Sequence, residues 1–164
     1  MCIRDRSKFG RPSALGAVTG MVAGLGTITP ASGFVGPGGA LVIGISAGFV
    51  CYNATVFLKQ KLKIDDSLDV FPVHGIGGLL GTLLAAVFAS DALGVFSGQG
   101  LGGVSIGEQL CVQVVGVLAT GIYAAIASFV LLKLVDVLLG LRVSSDEETE
   151  GLDLTQHNER GYDL

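Results

Sequence analysis

The sequence has few of the side chains on which water-soluble enzymes depend. It contains no tryptophan, only two histidines and only three cysteines, and charged residues make up 15% of the chain, against roughly 25% in soluble domains. No metal-ligand cluster, Ser-His-Asp arrangement or intramembrane carboxylate pair can be assembled from this set, so neither an enzyme nor a metal or cofactor site is expected. Half of the residues are hydrophobic, and this composition predicts an integral membrane protein.

Charge is absent from three long stretches, which predicts the membrane spans. Residues 12–58, 70–90 and 109–132 contain no Asp, Glu, Lys or Arg. The first stretch is long enough for two helices, separated by the turn residues around Pro30 and Pro37. We therefore predict an all-α polytopic transmembrane bundle with helices near 13–30, 38–58, 70–90 and 105–139. The last helix would be roughly 50 Å long, which requires it to tilt, bend or protrude.

The remaining charges predict the orientation and the domain limits. Lys or Arg residues lie before the first helix, between the second and third helices and after the fourth, whereas loops 31–37 and 91–104 contain none. By the positive-inside rule both ends of the chain are cytoplasmic. Residues 8–139 form the predicted membrane domain, and residues 140–164 form an acidic cytoplasmic tail with seven acidic and two basic residues. Residues 1–7 do not fit this pattern and are interpreted as a non-native or disordered start.

Small residues recur at four-residue spacing and predict close helix packing. The expected seams are Gly16, Gly20 and Gly24 in the first helix; Ala40, Gly44 and Gly48 in the second; Gly77, Gly81 and Ala85 in the third; Gly116, Thr120, Ala124 and Ser128 in the fourth. The glycines of GQGLGG at 98–103 resemble a dinucleotide-binding fingerprint, but no strand precedes them, so a loop is predicted instead.

His74 is the one ionisable side chain within the 70–90 stretch. It has two interpretations: a neutral imidazole hydrogen-bonded to a neighbouring helix, or a group that faces a path through the membrane. Pro72 removes a backbone donor and is expected to kink the start of the helix, while Gly75, Gly77 and Gly78 leave space beside the ring. A neutral imidazole can accept a proton on one nitrogen and donate from the other, which is transport chemistry.

Three segments in order, GTITPASGFVGPGGALVIG, DDSLDVFPVHGIGG and the tail from GLRV to the end, resemble the C-terminal part of ammonium transporters of the Amt/Mep/Rh family. The resemblance implies a fragment with the last four of eleven helices, too short to form a pore alone. In that family ammonium loses its proton, and ammonia crosses an apolar pore lined by paired histidines. A homotrimer and, in bacteria, a PII-type signalling partner at the cytoplasmic face are implied as well.

The resemblance also implies roles for individual residues. His74 corresponds to the second pore histidine, whose partner would lie upstream of this chain. Thr29 corresponds to a position near the outer end of its helix, and Thr19 and Val70 to positions toward the cytoplasmic vestibule.

The resemblance extends to the segments that flank the histidine helix and end the chain. Asp65, Asp66 and Asp69 match the acidic run before the histidine helix, where capping of that helix is the simpler role. Thr155 falls where some plant relatives carry a regulatory phosphothreonine, although an acidic tail is also typical of a solvated chain end. Another glycine-rich secondary transporter and an ammonium-sensing Amt-like domain are the alternative functions.

Overall fold

The computed structural model describes residues 10–11, 14–89 and 103–161, and every regular element in these ranges is a helix. Four helices are long and apolar enough to cross a membrane, which confirms the predicted all-α polytopic membrane fold. They are α1 (Ala14–Ile28), α2 (Pro37–Val56), α3 (Gly77–Phe88) and α4 (Ile106–Leu138). The predicted non-native start at 1–7 and most of the predicted loop at 91–104 lie outside the described residues.

Short segments of other helical geometry extend three of these elements. A 3₁₀ turn, Thr29–Ala31, follows α1, and a π-helical turn, Phe57–Lys61, follows α2. A second π-helical turn, Phe71–Ile76, leads directly into α3. These extensions bring the α1 and α3 elements to 18 residues each, a length that can span a membrane, and lengthen the α2 element to 25 residues.

The chain divides into two compact units, Met1–Leu118 and Ala119–Leu164. The first unit contains α1, α2 and α3, which pack against one another, together with the first part of α4. The second contains the remainder of α4 and two short tail helices, α5 (Ser145–Glu150) and α6 (Leu152–His157). The fold of the first unit positions the candidate site.

Within the first unit, α1 and α3 run parallel and α2 runs antiparallel to both. One buried cluster contains Ala23, Cys51 and Val73, and another contains Ala31, Ile43 and Ala85. Between the first cluster and the second, residue numbers rise along α1 and along the element that contains α3, whereas they fall along α2. The small cross-section of most of these side chains lets the three backbones approach closely in the absence of large interlocking residues.

The predicted small-residue seam is confirmed on α3, but Gly24 of α1 and Gly44 and Gly48 of α2 do not lie at a close contact. Gly77, Gly81 and Ala85 are buried, whereas a Cβ atom added at Gly24, Gly44 or Gly48 would meet no atom within 4 Å. The buried series lie one residue before the predicted ones, and they are Ala23 and Thr27 on α1 and Ile43, Ala47 and Cys51 on α2. The glycines of α3 supply the space at the helix crossing, so its partners present side chains there instead of glycine.

α4 differs from the other spans because none of its residues is buried. It is 33 residues long, which corresponds to roughly 50 Å. Its first turn is closed by a capping box in which the Ser105 N–H and hydroxyl donate to Glu108 at 3.1 and 2.8 Å. The predicted small-residue seam on α4 therefore has no buried counterpart within the described residues.

Hydrogen bonds within the acidic tail hold its described residues, 140–161, together. Ser144 and Glu147 form a reciprocal capping box at the start of α5, and the Ser144 N–H and hydroxyl hold the pKa of the Glu147 carboxyl below its usual value. The Gln156 side chain of α6 donates to Glu147 at 3.1 Å. Arg142 pairs with Glu148 at 3.3 Å. These contacts join α5 to α6 and to the segment before them.

Candidate functional site

His74 lies in the π-helical turn that precedes α3. Pro72 and Val73 in the same turn are buried, while the His74 side chain is exposed. Pro72 lies in the first turn of this segment, where the backbone widens into a π turn. Such turns are rare and frequently occur at functional sites. The widened turn directs the imidazole to a face of the bundle that the three packed helices leave open.

One glycine lies beside the imidazole, and a second lies against the neighbouring Phe71 ring. A Cβ atom added at Gly26 of α1 would lie 3.7 Å from Nδ1 of His74, so the backbone of α1 passes beside the ring. The ring of Phe71 packs over Gly75, where an added Cβ atom would lie 3.1 Å from Cδ2. The absence of a side chain at Gly26 therefore leaves space between α1 and the imidazole.

The other predicted path residues lie around this point. Thr19, Gly26 and Thr29 share one face of α1 and its 3₁₀ extension. Along the helix axis, Thr19 lies roughly 10 Å from Gly26 toward the start of α1, and Thr29 lies roughly 5 Å from Gly26 toward its end. The Thr29 hydroxyl donates to the Leu25 carbonyl at 2.8 Å, so it is held against its own helix. Val70 lies one turn before His74 and is half exposed, at 51%. Helix spacing thus puts Thr19 and Thr29 on the face of α1 that carries Gly26. The role of Thr19, Thr29 and Val70 in a path stays a prediction.

Three aspartates precede the His74 turn, and each makes a different contact. Asp66 accepts hydrogen bonds from the N–H groups of Val70 and Phe71, both at 2.9 Å. The Phe71 and Val70 N–H groups hold the pKa of the Asp66 carboxyl below its usual value. Asp69 pairs with Lys59 of the preceding π turn at 2.7 Å, and Asp65 accepts a bond from the Ser67 hydroxyl at 3.3 Å. Asp66 is therefore the helix cap among the three.

Thr155 and His157 lie in the tail, in the second unit. The Thr155 hydroxyl donates to the Gly151 carbonyl at 3.1 Å, and the side chain is half buried in α6. His157 is exposed at the end of the same helix. The two histidines of the chain thus have different settings, one beside packed membrane helices and the other on a polar tail.

Sequence analysis did not identify Gly26, Thr27 or Lys59 as part of this region. Gly26 is separated from the predicted glycine seam by two positions, and Thr27 is a common residue in apolar helices. Lys59 was counted only as a topology signal. The small residues Gly24, Gly26 and Thr27, which lie within one and a half turns before Thr29, are the signal in the sequence that marks a close helix crossing here.

Comparison with known proteins identifies relatives over nearly the whole chain. Residues 1–162 match the family model described as Ammonium Transporter Family. The chain is 47% identical to ammonium transporter Amt1 of Archaeoglobus fulgidus over 93% of its length and 42% identical to an ammonium transporter of Bacillus subtilis over 93%. These alignments span 38% and 37% of the two relatives, so the chain covers less than half of their length.

A solved structure gives the same result at the level of the fold. The chain is similar to a protein named Sensor Amt Protein, with a TM-score of 0.80 and 30% sequence identity. The similarity covers 94% of this chain and 37% of that chain. The helical fold of this chain therefore corresponds to somewhat more than a third of that longer chain.

Proposed function

We propose a function that starts from family membership, since this chain belongs to the ammonium transporter family. It is accordingly a multi-pass membrane protein from a family of transporters. The proposed activity is transmembrane transport of ammonium or ammonia, with His74 in the conducting path. The observation that carries the proposal is the exposed imidazole of His74, which lies beside Gly26 on the open face of the packed α1 and α3 elements.

The proposed mechanism separates the proton of ammonium from ammonia. Ammonium carries a charge that is costly to move through an apolar passage, whereas ammonia is neutral. A neutral imidazole at His74 accepts the proton and passes it to a second imidazole contributed by a segment outside this chain. Sodium and potassium ions cannot lose their charge by deprotonation, so the same passage excludes them. Val70 and Thr19 lie toward the inner side of this path and Thr29 toward the outer side.

The surrounding assembly is part of the same proposal. The basic residues that flank the helices favour cytoplasmic placement of both ends of this chain. The small-residue face of α4, which has no buried residue, is available to pack against further helices of the complete protein. Family membership favours a homotrimer and, at the cytoplasmic face, a PII-type signalling partner.

Replacement of His74 by Ala in the complete transporter tests the mechanism. We expect proton-coupled ammonium current to fall by at least about tenfold, because general acid-base groups contribute that much or more to proton transfer. Current is measured in proteoliposomes under an ammonium gradient and normalised to the amount of inserted protein. His157→Ala is the matched control, since it removes the other histidine of the chain from an exposed position in the tail. Unchanged electrogenic uptake by the His74 variant would overturn the proposed role.

The structural similarity to a protein named Sensor Amt Protein favours a second candidate function, ammonium binding without turnover. The two candidates differ in one measurement. A sensor would show ammonium-dependent thermal stabilisation but no ammonium current in the proteoliposome assay, whereas a transporter shows current.

Regulation through Thr155 is a separate proposal about the tail. A phosphate at this half-buried hydroxyl would add a charge of about −1.5 to −2 and would break its bond to the Gly151 carbonyl. We expect Thr155→Asp to lower transport, because the added charge lies in a segment that is already acidic. Thr155→Val, which keeps the side-chain volume without the charge, is the control. Equal transport by Thr155→Asp and the unaltered protein would remove the basis for this regulation.

A further inference from the structure

We infer that Thr27 is a positioning residue for His74: its side chain sets the spacing between α1 and the element that carries the imidazole. The inference rests on the proposed role of His74 and adds a residue to it. Thr27 is fully buried where α1, α2 and α3 meet. It lies between the two apolar clusters of the bundle, at a level where the facing residues of α3 are Gly77 and Gly81.

The contact at Gly77 has no free space. A Cβ atom added there would lie 2.8 Å from Oγ1 of Thr27 and 3.3 Å from Sγ of Cys51. Carbon atoms of folded proteins do not approach oxygen that closely, and a packed core transmits such a mismatch to its neighbours. The Thr27 side chain therefore occupies the volume that a methyl group on Gly77 would need.

The same stretch of α1 lies against His74. Gly26 places its backbone beside Nδ1 of the imidazole, and the next residue places its side chain against Gly77, three residues after His74. Because Gly26 and Thr27 are adjacent on one helix, any displacement of α1 from Gly77 also displaces it from the ring. The fit at Thr27 thus determines how closely α1 approaches the imidazole.

Gly81 also faces Thr27, but it faces the backbone of Thr27, whereas Gly77 faces the side chain. A Cβ atom added at Gly81 would overlap the carbonyl oxygen of Thr27 and lie 3.3 Å from Cδ of Pro30. A smaller side chain at position 27 cannot relieve a clash with that residue's own backbone. We therefore expect Thr27→Ala to rescue Gly77→Ala and to leave Gly81→Ala unrescued.

The experiment compares these variants in the complete transporter. Gly77→Ala is expected to lower ammonium current per inserted molecule by at least about tenfold, since misplacement of a reacting group by a fraction of an ångström to one ångström has effects of this size. The double variant Gly77→Ala/Thr27→Ala is expected to regain most of the current. Gly78→Ala is the matched control, because it makes the same substitution one residue further along at a position with no atom within 4 Å.

A second readout does not depend on transport. Carbethoxylation of His74 by diethyl pyrocarbonate is followed by mass spectrometry in the purified protein, with His157 as the internal reference. Gly77→Ala is expected to change the ratio of the two modification rates by about twofold or more, because the backbone beside the ring is displaced. The double variant is expected to restore the ratio, and Gly78→Ala to leave it unchanged.

The two readouts distinguish failure of this inference from failure of the proposed function. An unaltered protein without ammonium current contradicts the proposed function, while the modification ratios still test the position of Thr27. A Gly77→Ala variant with the unaltered modification ratio and full current per inserted molecule overturns the inference. So does a double variant that behaves like Gly77→Ala in both measurements.

Discussion

Asp66 determines how the His74 turn begins. Its two carboxylate oxygens accept the N–H groups of Val70 and Phe71, which are among the donors that a helix leaves unpaired at its start. We expect Asp66→Ala to lower the thermal unfolding temperature at neutral pH by roughly 2–4 °C, measured by scanning fluorimetry in detergent. Asp65→Ala is the control, because Asp65 accepts only from the Ser67 hydroxyl among the described contacts.

The same carboxylate gives a pH dependence with a defined sign. Backbone donors lower the pKa of Asp66 in the folded protein, so its stabilising effect is complete above the unfolded-state pKa of about 3.9. The effect is lost as pH falls through the lowered folded-state value. The difference in unfolding temperature between the unaltered protein and Asp66→Ala should therefore persist at pH 5 and shrink in stronger acid. A difference that grows in acid would contradict this assignment.

At the scale of the helices, the sequence predicts where spans occur better than how they pack. Charge-free stretches predict four spans, and the described residues contain four helices long and apolar enough to cross a membrane. The prediction succeeds because the cost of charge in an apolar environment acts on each segment separately. The packed faces of α1 and α2 depend instead on which residues their neighbour presents. Gly77 and Gly81 admit the Thr27 side chain and carbonyl, so the contact face of α1 contains Ala23 and Thr27 and not the predicted Gly24. The spacing of small residues along one helix therefore does not predict which of its faces packs against a neighbour.

In the candidate site, too, the sequence predicts some residues and misses those that depend on contacts between helices. His74 is identifiable because an ionisable residue in an apolar stretch is conspicuous in any context. Its neighbours Gly26 and Thr27 are not, because their importance comes from a contact between segments about fifty residues apart. The π-helical turn at Phe71–Ile76 is equally invisible to the sequence, since its geometry depends on the packing of Pro72 and Val73 into the bundle.

An ion pair connects the end of the second span to the start of the third. Lys59 and Asp69 lie 2.7 Å apart, and their side chains are 38% and 20% exposed. In a double-mutant cycle with Lys59→Gln and Asp69→Asn, we expect a coupling energy of about 0.5–1 kcal/mol that decreases at high salt. Asn is chosen because Asp69 has a φ of 56°, a conformation that Asn tolerates well.

A second pair in the chain is the reference for this measurement. Arg142 and Glu148 lie 3.3 Å apart with side chains 78% and 54% exposed, so their coupling energy should be smaller. Equal coupling in the two cycles, or none between Lys59 and Asp69, would show that the ion pair does not hold these helix ends together.

For the whole molecule, the distribution of charge and the direction of the helices agree on one orientation. α1 and α3 run parallel, and Lys59 at the end of the second span pairs with Asp69 before the third. The start of the first span, next to Arg11, therefore lies at the same end of the three-helix bundle as the Lys59–Asp69 pair. Arg142 follows α4, the next span in the chain. The proposed orientation, which the positive-inside rule favours, puts these basic positions on the cytoplasmic side.

Reporter fusions in a bacterial host test this orientation directly. We expect green fluorescent protein at the C-terminus to fluoresce and alkaline phosphatase fused after Gly103 to be active, because the first folds in the cytoplasm and the second requires an oxidising compartment for its disulfides. Alkaline phosphatase fused after Lys63, between the second and third spans, should be inactive. The reverse pattern would place the basic ends outside and would invert the proposed path, with Val70 toward the outer side of His74 and Thr29 toward the inner side.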